Sequence, residues 1–481
     1  MVVQVKIQNE IVVYLNNETR IMKMFTNNSL LSKLAFAASF ILVTTGFSAQ
    51  VSAQETLTIQ QAIERMLQNN LNIKQAVLNV STSTVNLEQS KAALYPSLNG
   101  SLDNSLNFGR SLNSATNQLV SNKFYQGIGN LSTSVDLFGG FAKINQIRQN
   151  KILLDAGNSN LDKVKNDLIL QVVTAYFQVV FNTDLLAASK EQLLVAQQTE
   201  EREEALLDAG NKTLADISQA KAQVATAELN VTNAQNQLTI SYLTLSQLME
   251  MRPDSSDYVV IKPTVQDIVT AQKSYDINEV YNSSLSIFPD IKLARLNREA
   301  AEKGVAVAKG ALSPRISLGG GIGSRYSYLL GSGMLGSIPN AHLFDQINNN
   351  FYQNIGLSLQ IPIFNGFSAR SNVKRAKINY EDYKIQEQLV RNNLNKVIAQ
   401  AIADLRAADS RYRSTENTFN AQKDAFNVIE QRYNVGLVNS LDYNTARTNR
   451  NTAETDFIQA KYDLLFRSKV IDYYLGKQIN F

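Results

Sequence analysis

Residues 97–108 read SLNGSLDNSLNF and residues 130–137 read NLSTSVDL, so polar and apolar side chains alternate along both stretches. The same alternation returns at residues 315–328, RISLGGGIGSRYSY, and at residues 354–363, NIGLSLQIPI. Successive side chains of a β-strand point to opposite faces of the sheet. The sequence therefore predicts two pairs of strands, each with one apolar face and one polar face.

These strand pairs interrupt helical sequence that is much longer than a compact domain needs. Residues 140–209 contain no proline, and apolar or small residues recur there at spacings of three and four, as in helices that pack side by side. A helix of roughly 70 residues, at ~1.5 Å per residue, would reach about 105 Å. Residues 390–408 repeat the spacing. Two shorter helices, over about 58–95 and 213–250, could stack end to end beside the first long one.

The two halves of the chain follow the same plan. Residues 137–141, LFGGF, match residues 363–367, IFNGF. Each half reads helix, two strands, very long helix, glycine turn and helix, which predicts an internal duplication. A connector over about 252–283 could hold a small helix or a strand. We assign residues 54–280, including most of that connector, to the first repeat and residues 281–481 to the second.

Residues 1–53 are typical of an export signal with a possible upstream extension. An apolar run from Leu34 to Phe47 follows basic residues and is followed by small residues at Val51-Ser52-Ala53. That run is shorter than the roughly 20 residues of a membrane-spanning helix. We find no other apolar stretch of sufficient length, so we expect any membrane crossing to use the strands.

Composition limits the chemistry of the chain. It has 481 residues and no cysteine, which excludes disulfides, thiolate metal sites and cysteine nucleophiles. Its 46 basic residues are interspersed with 42 acidic ones, a pattern that does not favour nucleic-acid binding. His342 is the only histidine, and no second metal ligand or nucleophile is evident beside it. We therefore predict no enzyme activity, no cofactor and no metal site.

A sheet that crosses a membrane has to close, because an open edge leaves backbone groups unpaired in lipid at a cost of several kcal/mol each. Four strands cannot close, and known barrels begin at about eight strands, so the chain needs at least two copies, and three would give about twelve strands around water. We expect the polar faces to line that lumen, with Asp103, Asp136, Arg315 and Arg325. We expect the strand-end aromatic residues to lie at the membrane interfaces: Phe138, Phe141, Tyr326, Tyr328, Phe364 and Phe367.

The duplicated plan, the strand-ending residues 137–140 and 363–366, and the turn Tyr433-Asn434-Val435-Gly436 resemble the TolC-type outer-membrane efflux protein family. The resemblance covers about residues 57–475. It implies a homotrimer with a twelve-stranded β-barrel, four strands per chain, in the outer membrane of a Gram-negative bacterium. It also implies a long α-helical coiled-coil barrel through the periplasm that docks onto a periplasmic adaptor protein and an inner-membrane pump, for tripartite efflux or type I secretion.

In that family the turns at the periplasmic ends of the helices contact the adaptor and close the channel. The second turn of this chain keeps the aromatic pattern of the family, whereas the first, Leu207-Asp208-Ala209-Gly210, departs from it. A plain helical hairpin is the alternative, in which glycine ends one helix and Thr213, Ser440 or an aspartate caps the next. The resemblance implies a gating or adaptor-contact role for Gly210, Asp216, Tyr433, Gly436 and Asp442.

Other interpretations stay open on the residues alone. Alternating strands also form the half-buried sheets of soluble proteins. A secreted or surface coiled-coil interaction protein without a pore is the competing function. The charge run Glu200-Glu201-Arg202-Glu203-Glu204 is typical of a solvated helix face. The sequence names no exported substrate and no particular adaptor or pump.

Overall fold

The computed structural model describes residues 55–113, 118–251, 258–264, 275–330 and 342–477. The predicted export signal lies outside the described residues. The chain divides into a unit of residues 1–55 and a unit of residues 56–481, and the fold described below is that of the second unit.

The described residues alternate between helices and strands in the order that the sequence predicts. In chain order they form β1 (Glu55–Leu57), α1 (Ile59–Asn69), α2 (Leu71–Ala92), β2 (Ser97–Asn113), β3 (Gln118–Gly139), α3 (Ala142–Asp208), α4 (Leu214–Leu248), β4 (Tyr258–Val260), α5 (Ile277–Ile287), α6 (Pro289–Gly310), β5 (Arg315–Leu329), α7 (Leu343–Asn349), β6 (Tyr352–Gln360), α8 (Ser368–Asn434) and α9 (Ser440–Tyr474).

The four long strands form one antiparallel sheet in the order β2-β3-β5-β6. Both predicted strand pairs are present, and β3 pairs with β5 to join them. The register places Leu98, Thr133, Gly320 and Ile355 in one row across the sheet. This row and every second row from it carry most of the apolar side chains of the sheet. The rows between them carry mainly serine, asparagine and charged residues. The prediction of an apolar and a polar face is therefore confirmed.

A short helix takes the place of β6 at the end of the sheet away from the long helices. The pairing of β6 with β5 stops at Gly323 and Tyr352, whereas β5 continues to Leu329. Beside that continuation, the Gln346 side chain of α7 accepts a hydrogen bond from the Ser327 N–H and donates one to the Ser327 carbonyl, each at 3.0 Å. The amide side chain thus reproduces the bonds that a neighbouring strand would make.

The shorter helices pack along the long ones. α2 and α4 both contact α3, and they meet end to end where the Asn70 side chain donates to the Leu248 carbonyl at 2.9 Å. The prediction of one continuous helix over residues 58–95 is wrong. The Asn70 side chain also accepts from the Asn72 N–H at 2.9 Å, which ends α1 and begins α2.

The main hydrophobic core surrounds the middle of α3 and α8. The Tyr176 ring of α3 is fully buried, and its hydroxyl lies 3.1 Å from the Leu57 carbonyl oxygen and 2.8 Å from that of Ile261. Those carbonyls belong to β1 and to the residue after β4, which pair as a small two-stranded sheet. The connector that the sequence left undecided therefore contributes a strand to the core.

The α3 helix is, within the described parts of the chain, the one helix long and apolar enough to span a membrane. Half of its most apolar window is buried inside the protein. Val172 and Val179 of this helix are fully buried in the core. Packing within the protein therefore accounts for about half of that apolar window.

Both long helices begin at a left-handed turn. Gly140 and Phe141 precede α3 with φ of 61° and 59°, and Gly366 and Phe367 precede α8 with φ of 64° and 62°. For a residue with a Cβ, the left-handed conformation is about 1–2 kcal/mol higher in free energy than the right-handed conformation. The two halves thus use the same strained turn to pass from strand to helix.

The two turns offer a matched test of this strain. A Cβ at Gly140 would lie 2.6 Å from the Ser313 Cβ and 2.7 Å from the Gly310 carbonyl oxygen, whereas a Cβ at Gly366 would meet nothing within 4 Å. Gly366→Ala should lower the free energy of unfolding only by the backbone strain, about 1–2 kcal/mol. We expect Gly140→Ala to lower the Tm further, because the new methyl group also clashes. Equal Tm values for the two variants would contradict the packing argument.

Candidate functional site

Each long helix ends in a glycine turn. Gly210 and Gly436 have left-handed φ of 76° and 78°. The Gly210 N–H donates to the Leu207 carbonyl at 2.9 Å, and the Gly436 N–H donates to the Tyr433 carbonyl at 3.0 Å. The last carbonyl groups of a helix lack N–H partners within the helix, and these bonds satisfy one of them in each case. Both glycines therefore end their helices, as the hairpin interpretation predicts.

The helices that follow the turns are capped by different residues. At the start of α4, Thr213 Oγ1 accepts from the Asp216 N–H at 3.3 Å, while the Asp216 carboxylate accepts from the Thr213 N–H at 3.1 Å. This is a reciprocal capping box. At the start of α9, the Asn439 side chain accepts from the Asp442 N–H at 2.8 Å. The expectation that Ser440 or Asp442 caps α9 is wrong, since Asn439 does so.

Ser440 instead links the two turns. Its hydroxyl donates to the Asp216 carboxylate at 2.8 Å and accepts from the Lys212 ammonium at 2.8 Å. Lys212 also donates to the Tyr433 hydroxyl at 3.0 Å and lies 3.3 Å from the Glu203 carboxylate. The Tyr433 hydroxyl donates to Glu203. We call these five side chains the tip network: Glu203, Lys212, Asp216, Tyr433 and Ser440.

Glu203 is the most deeply buried member of the tip network, with 2% of its surface exposed. A buried carboxylate is costly unless charged and hydrogen-bonding groups compensate it, and Lys212 and Tyr433 do so here. The interpretation of residues 200–204 as a solvated face is therefore wrong for Glu203. The signal that identifies it is spacing, because the buried residues Ser189, Ala196 and Glu203 recur every seventh position along α3.

The Tyr433 ring is enclosed by another ring and by cations. It stacks on Tyr443 with 4.4 Å between centroids and 12° between planes. Arg202 and Lys212 place their charges 4.7 Å and 4.6 Å from the Tyr433 ring centroid. A cation over an aromatic face contributes about 0.5–2 kcal/mol. The tips thus have a small core of their own, separate from the main one: Phe426, Tyr433, Tyr443 and Ala446.

The electrostatics of the tip network favour its charged forms. Hydrogen bonds from Thr213 and Ser440 hold the pKa of Asp216 below its ordinary value. Burial alone would lower the pKa of Lys212, but its interactions with Tyr433 and Glu203 outweigh that effect and raise it. Both groups are therefore charged at neutral pH, as the hydrogen bonds require.

The four predicted lumen residues share the polar face of the sheet. Asp103 and Arg325 lie in one row. Asp136 and Arg315 lie on the same face at the end next to the long helices. There Asp136 forms an ion pair with Lys143 at the start of α3, at 3.0 Å. The polar face thus carries charges of both signs near each end.

The aromatic residues predicted for the membrane interfaces occupy both ends of the strands. Next to the long helices, edge-to-face ring pairs with 5.5 Å between centroids join Phe138 to Phe141 and Phe364 to Phe367. Phe141 and Phe364 remain mostly exposed in the single chain. The opposite end holds Tyr326 and Tyr328, both beside Tyr125.

Nothing in the described ranges indicates a metal centre. His342 precedes α7 and makes no side-chain capping bond there. Within residues 55–113, 118–251, 258–264, 275–330 and 342–477, no group of three or more histidine, aspartate or glutamate residues could hold a metal ion. The tip network and the two-faced sheet are therefore the candidate functional features.

Comparison with known proteins agrees with this architecture. The sequence model described as "Outer membrane efflux protein" matches residues 62–249 and 280–477. The outer membrane efflux protein BepC of Brucella suis is 24% identical over 435 residues, 90% of this chain and 88% of BepC. Among solved structures, VceC of Vibrio cholerae has a TM-score of 0.69 at 19% identity, covering 87% of this chain and 96% of VceC. CmeC of Campylobacter jejuni has a TM-score of 0.70 at 21% identity, covering 87% of this chain and 85% of CmeC.

Replacing Tyr433 by phenylalanine tests the tip network. Tyr433→Phe keeps the stacked ring but removes the hydroxyl that donates to the buried Glu203 carboxylate, a loss worth about 1–3 kcal/mol. We expect about a tenfold fall in amide hydrogen-exchange protection in both turns. Tyr443→Phe is the control, because the Tyr443 hydroxyl lies outside the tip network. An equal loss of protection in the two variants would contradict the assignment.

Acid should weaken the tip network through Asp216. Because the pKa of Asp216 is lower in the folded than in the unfolded protein, its contribution is complete above the unfolded pKa of about 3.9 and is lost as the pH falls through the folded value. We expect exchange protection of the turns to fall below about pH 4. Asp216→Asn should remove the Asp216-dependent part of that fall, so an unchanged pH profile in this variant would exclude Asp216 as its cause.

Proposed function

The chain belongs to the outer membrane efflux protein family, and we propose that it forms a passive, gated channel from the periplasm to the exterior. The observation that carries this proposal is the sheet with one polar and one apolar face, placed at one end of two 67-residue helices. Such a sheet can hold lipid on one side and water on the other. The long helices can carry the same conduit into the periplasm.

We propose that three copies close one barrel of twelve strands. Within the described part of the chain, β2 and β6 are edge strands with a partner on one side only. Apolar side chains on these two strands are exposed to solvent in the single chain, with Leu98 75% and Ile355 81% exposed. Pairing β2 of one copy with β6 of the next would satisfy both edges, and lipid would cover the apolar face.

We propose that the chain arose from two repeats, over residues 54–280 and 281–481. Equal element lengths support the duplication: 67 residues for α3 and α8, 35 for α4 and α9, 22 for α2 and α6, and 11 for α1 and α5. The helix α5, which corresponds to α1, begins at Ile277, four residues before residue 281.

We propose that the tip network holds the channel in its resting state. It joins the hairpin of α3 and α4 to the hairpin of α8 and α9 within one chain. The periplasmic ends can then separate only when its hydrogen bonds break. Gly210, Gly436 and Asp442 would shape the turns, while Asp216 and Tyr433 would carry the contacts. Docking of a periplasmic adaptor would supply the free energy for that rearrangement.

We propose that the chain works with an adaptor protein and an inner-membrane pump, for efflux or type I secretion. We predict no enzyme activity for this chain, so uphill transport would draw its energy from the pump. On the channel side, Asp103, Asp136, Arg315 and Arg325 would line the water-filled barrel. Phe138, Phe141, Phe364 and Phe367 would lie at one membrane interface, and Tyr326 and Tyr328 at the other.

Light scattering on the protein purified in detergent, followed by planar-bilayer recording, tests these proposals. We expect three copies per particle and discrete conductance steps. Tyr433→Phe should open more often than the wild type, and Tyr443→Phe should resemble the wild type. A monodisperse monomer that stays in solution without detergent would overturn the barrel and favour the coiled-coil interaction protein. A trimer whose opening is unchanged in Tyr433→Phe would overturn the gate alone.

A further inference from the structure

Arg447 on α9 is a buried cation that has no acidic partner among the residues the structure describes. It is 5% exposed. Its guanidinium donates to Thr199 Oγ1 at 3.4 Å, hydrogen-bonds the Tyr443 side chain, and lies 5.7 Å from the Tyr443 ring centroid. Within the described ranges, no carboxylate lies within ion-pairing distance of it, and burial lowers its pKa. An uncompensated buried charge costs several kcal/mol, and guanidinium stays protonated in proteins.

The neighbouring Arg450 shows how an arginine on this helix is normally compensated. Its guanidinium lies 3.6 Å from Glu191 and 3.5 Å from Glu454. The two arginines are three residues apart on α9, yet only one of them has carboxylate partners. The lack of a nearby carboxylate is therefore a feature of the Arg447 position and not of every arginine on α9.

Arg447 lines a cavity of about 220 Å³ between α3, α4 and α9. Its other walls are polar, made largely of threonine, asparagine and glutamine side chains. The hydroxyls of Thr226 and Thr448 already donate to backbone carbonyls four residues earlier, at 2.8 Å each. The Arg447 guanidinium and the side-chain amides of Gln223 and Asn230 are among the lining groups that can donate into the cavity, with the Asn451 amide and the Thr452 hydroxyl.

We propose that this cavity binds a small monovalent anion from solution, held by Arg447 and the amides of Gln223 and Asn230. The volume accommodates a halide or a small carboxylate with water, since one water occupies about 30 Å³ in the liquid. Guanidinium and amide N–H groups are the donors that such anions take. The anion would supply the negative charge that none of the described residues provides beside Arg447.

The bound anion would join helices of both hairpins. Arg447 belongs to α9, and Gln223 and Asn230 belong to α4, so one ion contacts the second hairpin and the first. It would act close to the tip network, because Thr199 accepts from Arg447 one helical turn before Glu203. The site lies on the helices and would bind its ion whether or not the sheet conducts.

Crystals of the full-length protein soaked in sodium bromide test the site. We expect an anomalous peak within hydrogen-bonding distance of the Arg447 guanidinium. Arg447→Gln should abolish the peak, whereas Arg450→Gln, which removes the paired arginine, should retain it. Gln223→Leu, at a partly exposed position, should lower bromide occupancy, so the proposal stays testable if Arg447→Gln fails to fold.

Chloride NMR line broadening on the detergent-solubilised protein gives a second reading without crystals. We expect excess line width for the wild type and for Arg450→Gln, and at least a tenfold weaker effect for Arg447→Gln. The absence of a bromide peak at Arg447 would overturn the proposal, as would a peak that persists in Arg447→Gln. A map in which a carboxylate of a second copy fills the cavity would also overturn it, because the charge would then come from protein.

Discussion

Backbone hydrogen bonding in lipid is the constraint on which this architecture depends. A strand edge without a partner is costly in the hydrocarbon, and the described residues form one sheet of four long strands with two open edges. The same requirement operates on a smaller scale at β5, where Gln346 of α7 bonds both backbone groups of Ser327. The protein thus satisfies an edge with a side chain where β6 is too short, and in the proposed trimer the β2 and β6 edges would pair with other copies.

The start of each long helix depends on the turn by which the chain leaves the sheet. Two consecutive left-handed residues, Gly140 and Phe141 or Gly366 and Phe367, turn each strand into a long helix. The strain is offset locally, since each phenylalanine packs edge-on against an aromatic ring three residues earlier. The turns are alike in backbone but not in surroundings, because Gly140 lies against Gly310 and Ser313 whereas Gly366 faces open space. The two halves therefore differ in how closely other residues pack against this turn.

Local patterns predicted much of this fold. Alternation identified the strands, and glycine placed the ends of α3 and α8 within a residue or two. The break at Asn70 was missed because helical spacing continues across it, and only the approach of Leu248 gives its side chain a second partner. Glu203 was misjudged for a related reason. Its partners Lys212 and Tyr433 lie on other segments, and nothing within residues 200–204 reveals them.

The two buried charges near the tips differ in what they imply for movement. Glu203 is compensated by groups from both hairpins, so separating the hairpins removes Tyr433 from it. Breaking a buried pair costs about 3–5 kcal/mol when the remaining charge stays buried. Opening would also admit water, which would lower the part of the cost that comes from Glu203. A network of this strength can hold a resting state and still yield to a docking partner that contributes a few kcal/mol. Arg447 differs, because none of the described residues places a carboxylate within ion-pairing distance of it.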